Sequence, residues 1–181
     1  EVVLAGKSHV NPPSVFRWDR FIRNIDGKKL NIKGIENYLK NSKKPFCLII
    51  ASDYPHGPYP QNKDYTIADV KKQPYENKIP NFKPGYYQNI KSDNSQLGKI
   101  LELSDQLNLT DNSIFIYASD HGITGKYGLY QKGLKIPFVI RWPGKLKQNT
   151  ISNSLLTMVD VLPTLVDIAG GDTKSFDGES F

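Results

Sequence analysis

The sequence predicts an α/β fold, three-layer α/β/α with a mainly parallel sheet, and three observations carry that prediction. Short apolar runs stop abruptly in polar clusters, as strands of a sheet covered on both faces do. A segment with helical spacing precedes one of those runs, which is the helix-then-strand unit of an α/β sheet. Each of the three histidines follows an apolar run, and open α/β sheets bind their ligands just beyond the carboxyl ends of strands. A chain of 181 residues, 38% hydrophobic and 23% charged, has the length and composition of one globular core and excludes a disordered segment.

Taken in order, Val2 to Ala5 reads as a strand ended by Gly6, followed by Lys7, Ser8 and His9, and then a loop through Pro12 and Pro13. Asn31 to Ser42 places Ile32, Ile35 and Leu39 near helical spacing. Pro45 to Ser52 reads as a second strand buried on both faces, with the lone Cys47 as inert packing inside it. The loop Asp53-Tyr54-Pro55-His56-Gly57-Pro58-Tyr59 follows, stiffened by its prolines around His56. Residues 61 to 92 lack periodicity and read as a long surface excursion. A helix is expected over 94 to 108, capped by Asp93, with Leu97, Ile100, Leu101 and Leu107 on its apolar stripe.

The stretch from Ser113 to Gly144 is where the chemistry concentrates. Ile114 to Ala118 is apolar on both alternating faces and reads as a central parallel strand, ending in Ser119-Asp120-His121-Gly122. An acid and an imidazole at a strand end make a two-ligand half of a metal site. Gly125-Lys126-Tyr127-Gly128 then sets a cation between permissive glycines, which suits a closely approaching anion. Ile136 to Trp142 reads as a strand with Pro137 at its first pairing or on an edge. Leu156 to Ala169 reads as a helix packing on the sheet, broken or started late by Pro163 and closed by Gly170-Gly171.

Charge and composition narrow the functions. The net charge is +6, with lysine pairs at 28–29, 43–44 and 71–72, which read as solvated surface or as attraction for anionic substrates. No aromatic-basic motif accompanies them, so nucleic acid is not an expected partner. A single cysteine forms no internal disulfide, and no apolar run reaches the length of a membrane span. The first residues do not have the pattern of a signal peptide. The chain reads as a fragment, starting inside a strand and stopping in a loop.

If the strands are parallel, His9, His56 and His121 converge with Lys7, Lys126 and Asp120. That set suits transfer of an anionic sulfuryl or phosphoryl group. Lys7 and Lys126 would neutralise non-bridging oxygens, and a divalent metal held partly by Asp120 would add to that effect. His56 could protonate a departing alkoxide, and His9 could assist turnover of a nucleophile.

Three ordered motifs carry a family resemblance. Ser119-Asp120-His121-Gly122, then GKYGLYQKGLKIPFVIRWPG from Gly125, then VDVLPTLVDIAG from Val159 together resemble the closing part of the sulfatase catalytic domain. Gly6-Lys7-Ser8-His9 and Pro55-His56-Gly57-Pro58-Tyr59 resemble two further active-site segments of that family. The resemblance implies an alkaline-phosphatase-like α/β architecture, with 1–181 as a single partial catalytic domain. It implies Lys7, His9, His56 and Lys126 as catalytic residues and Asp120 and His121 as metal ligands. The metal would be calcium, with magnesium or manganese as alternatives, because His121 stands where many sulfatases have Asn. The implied substrate is a sulfated small molecule or carbohydrate, and the implied location is periplasmic or secreted. Sulfatases use formylglycine made from Cys or Ser in a C/S-x-P-x-R segment. Neither Cys47-Leu48-Ile49-Ile50 nor Ser14-Val15-Phe16-Arg17 matches it. The nucleophile and the C-terminal subdomain are therefore expected outside this chain, and the chain alone is expected to hydrolyse nothing. The competing readings are a phosphonate or phosphodiester hydrolase of the same superfamily, a non-catalytic polyanion-binding module, and a flavodoxin-like fold with incidental histidines.

Overall fold

The computed structural model describes residues 1–61, 84–122 and 128–181. Among them the chain divides into two compact units, Glu1–Pro143 and Gly144–Phe181.

In the first unit, β1 (Val2–Gly6) is flanked by β2 (Arg20–Arg23) and β3 (Cys47–Ala51), both parallel to it. Val3, Leu4 and Ala5 are all buried, so β1 is the strand covered on both faces, and its unbroken apolar run reflects that. Helix α1 (Ile32–Asn41) follows β2, and the Asn31 side chain caps it by accepting from the Gly34 amide. Ile35, Tyr38 and Leu39 of α1 join Val3, Ala5, Ile22, Ile100 and Leu103 in one apolar cluster. The last two come from α2 (Pro84–Gln106), so both helices close over the parallel sheet.

Several expectations need correction. The strand at Phe115–Ala118, β4, is not central to the parallel sheet: it pairs antiparallel with β5 (Phe138–Arg141) in a separate two-stranded ribbon. The connection explains the pairing. Parallel neighbours need a crossover that carries the chain back along the sheet, and the described part of this connection holds only the single helical turn α3 (Gln131–Leu134). The Gly122 amide donates to the Gly133 carbonyl at 2.7 Å, drawing the two sides of the connection together near its base.

Strand β3 is not buried on both faces, and Cys47 is exposed rather than packed. Among the described residues β3 pairs only with β1, which leaves it at the edge of the described sheet. Its Leu48 and Ile50 pack against the core, while Cys47 and Ile49 occupy the alternate, exposed face. Helix α2 begins ten residues before the expected start at Asn94. Asp93 is therefore no cap; its carboxylate accepts from the Tyr117 hydroxyl of β4 at 3.2 Å. Residues 62–83 of the expected excursion and Lys126 lie outside the described residues.

In the second unit, a 3-10 turn over Met158–Asp160 leads into α4 (Val161–Ile168). Thr157 and Asp160 form a reciprocal capping box at the turn, and Pro163 falls in the first turn of α4. This is the late start that a proline requires, because its missing N–H is no loss in a helix's first turn. Gly170 takes a φ of 78° and the Gly171 amide returns to the Val166 carbonyl, closing the helix. Among the described residues, no helix is long and apolar enough to cross a membrane.

Candidate active site

The three parallel strands end level with one another: Gly6 stands across from Arg23 on one side and Ala51 on the other. The segments that follow them, Lys7 to His9, Asn24 onward and Ser52 to His56, leave from one carboxyl edge, where ligands of α/β sheets gather. Gly6 makes this edge possible. Its φ is +101°, and a Cβ there would stand 2.2 Å from the Ala51 carbonyl oxygen. That same carbonyl accepts the Lys7 amide at 2.9 Å, fixing the root of Lys7.

The Lys7 ammonium lies 3.4 Å from Asp53 Oδ1. The Asn24 amide donates to Asp53 Oδ2 at 3.1 Å and to the Gly27 carbonyl at 3.1 Å. Asp53 is thus the joint at which all three strand ends meet. Its own carbonyl accepts the His56 amide at 3.1 Å, which turns the chain so that His56 follows closely. Two side chains then brace the His56 backbone. Lys28 donates to the carbonyls of His56 and Pro58, and buried Asn89 of α2 donates to those of Pro55 and His56 at 3.4 and 3.0 Å. Burial pulls the Lys28 ammonium below the ordinary lysine value; Asp53 opposes that shift and Lys7 reinforces it.

The imidazole itself has one constrained edge. His56 Nδ1 is 2.7 Å from the Gly57 carbonyl, which can only accept, so Nδ1 carries the hydrogen and Nε2 remains for a substrate. His121 uses the same device, with Nδ1 at 2.8 Å from the Gly122 carbonyl. Its Nε2 lies 3.8 Å from Asp120 Oδ1. An imidazole held through Nδ1 by a carbonyl is the usual orientation for metal ligation through Nε2. The Asp120 side chain is 81% exposed, leaving its oxygens open. The pair fits half of a divalent-cation site: a hard carboxylate beside an imidazole suits calcium or magnesium at the oxygen and tolerates manganese. Among the described residues no group of three or more His, Cys, Asp or Glu gathers.

The structure brings Lys7 and His56 to one edge through Asp53 and Lys28. His9 is exposed two residues beyond Lys7 and takes part in none of these contacts. Asp120 and His121 stand together at the end of β4, and no hydrogen bond or ion pair among the described residues joins them directly to Lys7 or His56. Sequence reasoning missed Asp53, Asn24, Lys28 and Asn89. One signal for Asp53 was present: Ala-Ser-Asp occurs at 51–53 and again at 118–120, each time at the end of a strand.

A parallel sheet with helices packed on it, and polar side chains at its carboxyl edge, defines an α/β protein with its candidate site where such sheets bind ligands. Solved structures agree. A structure from work on Bacteroides thetaiotaomicron metabolism of glycosaminoglycans matches with a TM-score of 0.65 at 29% identity, covering 83% of this chain and 37% of that one. A Vibrio parahaemolyticus protein of the alkaline phosphatase superfamily matches with a TM-score of 0.60 at 17% identity over 94% of this chain and 44% of the other; it supports the fold alone. The sulfatase family profile matches residues 26–171, and the chain belongs to the sulfatase family. An ulvan-active sulfatase of Formosa agariphila is 46% identical over the whole chain. An endo-4-O-sulfatase of Bacteroides thetaiotaomicron is 31% identical over 81% of it. The chain spans 39% and 33% of the lengths of these two relatives.

Proposed function

We propose that this chain is part of an enzyme that hydrolyses sulfate esters of carbohydrates, exported to the periplasm or the outside of the cell. The observation that supports the reading is the level carboxyl edge of the parallel sheet in a member of the sulfatase family: Lys7, paired to Asp53 at 3.4 Å, leaves from that edge, and the Asp53 carbonyl accepts the amide of His56. Relatives whose names specify ulvan and 4-O-sulfate esters support a sulfated polysaccharide as the substrate.

In this reading Lys7 carries positive charge to the non-bridging sulfate oxygens, and Asp53 keeps its ammonium in place between turnovers. His56 gives a proton from Nε2 to the departing sugar oxygen, while the Gly57 carbonyl holds the ring through Nδ1. His9 assists turnover of the nucleophile, and Lys126 supplies a second cation to the sulfate. Asp120 and His121 would hold a divalent metal, calcium by the hardness of the carboxylate, which supplies further charge neutralisation when bound. No C/S-x-P-x-R segment occurs within residues 1–181, so in this reading the nucleophile, a formylglycine, would be supplied by another part of the full-length enzyme.

The leaving group provides the test. A sugar alkoxide needs a proton as it departs, whereas 4-nitrophenolate does not. In the full-length protein, His56→Ala should reduce sulfate release from a sulfated oligosaccharide by about 10²–10⁴-fold, with a much smaller loss on 4-nitrophenyl sulfate. Equal losses on both substrates would remove His56 from the general-acid role. Faster turnover of phosphate or phosphonate esters than of sulfates would favour the phosphonate or phosphodiester hydrolase reading. Binding of polyanions without turnover of any ester would leave a binding module.

A further inference from the structure

Helix α2 separates its charges by direction. Two of its three acids, Asp93 and Asp105, engage Tyr117 of β4 and Arg141 of β5. Its lysines Lys91 and Lys99 instead line a groove of about 410 Å³, with Lys29 and Tyr54 contributed from elsewhere in the chain. Gln88, Lys91, Ser95 and Lys99 recur at helical spacing along the groove. Three lysines and no carboxylate are among the residues that line it.

The groove is a constructed feature. Gln96 ties its three walls together: its Oε1 accepts the Leu30 amide at 2.8 Å, and its Nε2 donates to Ser52 Oγ at 3.3 Å. Ser52 Oγ also accepts the Tyr54 amide at 3.2 Å. Tyr54, two residues before His56, has the Lys28 ammonium 5.6 Å from its ring centroid, and Lys28 in turn holds the His56 carbonyl. The groove therefore opens beside the catalytic loop and shares its bracing. Its volume falls within the range of roughly 300–1,000 Å³ common to small-ligand sites. Ile32 and the Tyr54 ring offer apolar surface to the carbon faces of a sugar, and the lysines offer charge to its substituents.

We propose that this groove is a second anion subsite, which takes the carboxylate or sulfate of a sugar flanking the one whose ester is cut. The inference rests on the polysaccharide reading above and adds to it a specificity element: the enzyme selects a chain bearing acidic groups on neighbouring residues. Lys29, Lys91 and Lys99 act on binding and do not touch the reacting sulfate.

The test uses the full-length protein and its Lys91→Gln/Lys99→Gln variant, with three probes: dextran sulfate octasaccharide, polygalacturonate octasaccharide and 4-nitrophenyl sulfate. Calorimetric titration in 50 mM salt should show at least a tenfold rise in Kd of the variant for dextran sulfate. Turnover of 4-nitrophenyl sulfate, which has no flanking sugar to enter the groove, should stay within twofold. Lysine-dependent binding of polygalacturonate as well would assign the flanking anion to a carboxylate; binding of dextran sulfate alone would assign it to a sulfate. A Kd within twofold of the parent, or no binding of either polymer by the parent, overturns the subsite. If the parent cleaves no sulfate ester yet binds with lysine dependence, the hydrolytic reading fails and the groove stands.

Discussion

Two strand ends in this molecule carry the same tripeptide and put it to different use. β3 ends in Ala51 and runs on through Ser52-Asp53; β4 ends in Ala118 and runs on through Ser119-Asp120. Each serine ties the residue two positions on, Ser52 Oγ accepting the Tyr54 amide and Ser119 Oγ donating to the His121 carbonyl at 2.8 Å. Each following histidine holds the carbonyl of the glycine after it. The aspartates then part company. Asp53, at the edge of a three-stranded parallel sheet, is taken up by Lys7 and Asn24. Asp120, at the end of a two-stranded ribbon, stays open to solvent. Local sequence sets the turn, and the neighbouring strands decide whether the acid is tied into a joint or left open.

The largest effect on this comparison should come from Gly6→Ala. The added Cβ meets the Ala51 carbonyl at 2.2 Å in a left-handed backbone, so urea denaturation should show a loss of about 2–4 kcal/mol. The β4 end should keep its Tyr117–Asp93 contact until global unfolding. Next is Asn89→Ala. It strips a buried donor from two carbonyls of the His56 loop, for a loss of about 1–3 kcal/mol in thermal unfolding. Smaller is Tyr117→Phe, which removes one hydrogen bond of an exposed residue to Asp93; the same assay should register no more than about 1 kcal/mol. Reversal of that order would mean the ribbon, not the parallel edge, is the more tightly held of the two.

The subtlest probe is the titration of Lys28, followed through its side-chain carbon shifts. Its folded pKa lies below 10.5, chiefly through burial. The unfolded chain therefore holds more protons in the window between the two values, and stability rises with pH there. Asp53 works against the shift, so Asp53→Asn should move the Lys28 midpoint further down. An upward move would disconnect Asp53 from the His56 loop.

The reach of the sequence follows the same division. Apolar runs revealed β1, β3 and β5, helical spacing revealed α1 and the last helix, and Pro163 foretold its late start. Strand β2 is four residues long with arginines at both ends, so nothing in its own composition distinguishes it from loop; it exists because β1 offers a parallel edge. The direction of β4 is equally invisible, since pairing sense depends on the connection rather than on the strand. The exposure of Cys47 depends on which face of β3 is covered, a tertiary fact. At the site, Lys7, His56, Asp120 and His121 follow strand ends and could be picked out as chemistry. Asn24, Lys28 and Asn89 could not, because each acts on a carbonyl or carboxylate far from it along the chain.

The level ending of the parallel strands has a consequence for how such a chain can vary in length. Gly6, Arg23 and Ala51 share one rung, so a residue gained or lost inside β3 would shift Asp53 by about 3.3 Å along the sheet and turn its side chain to the opposite face. The loops beyond the rung carry no such restriction. Length changes are therefore tolerated in the segments beyond the rung, while the strands beneath keep a fixed count.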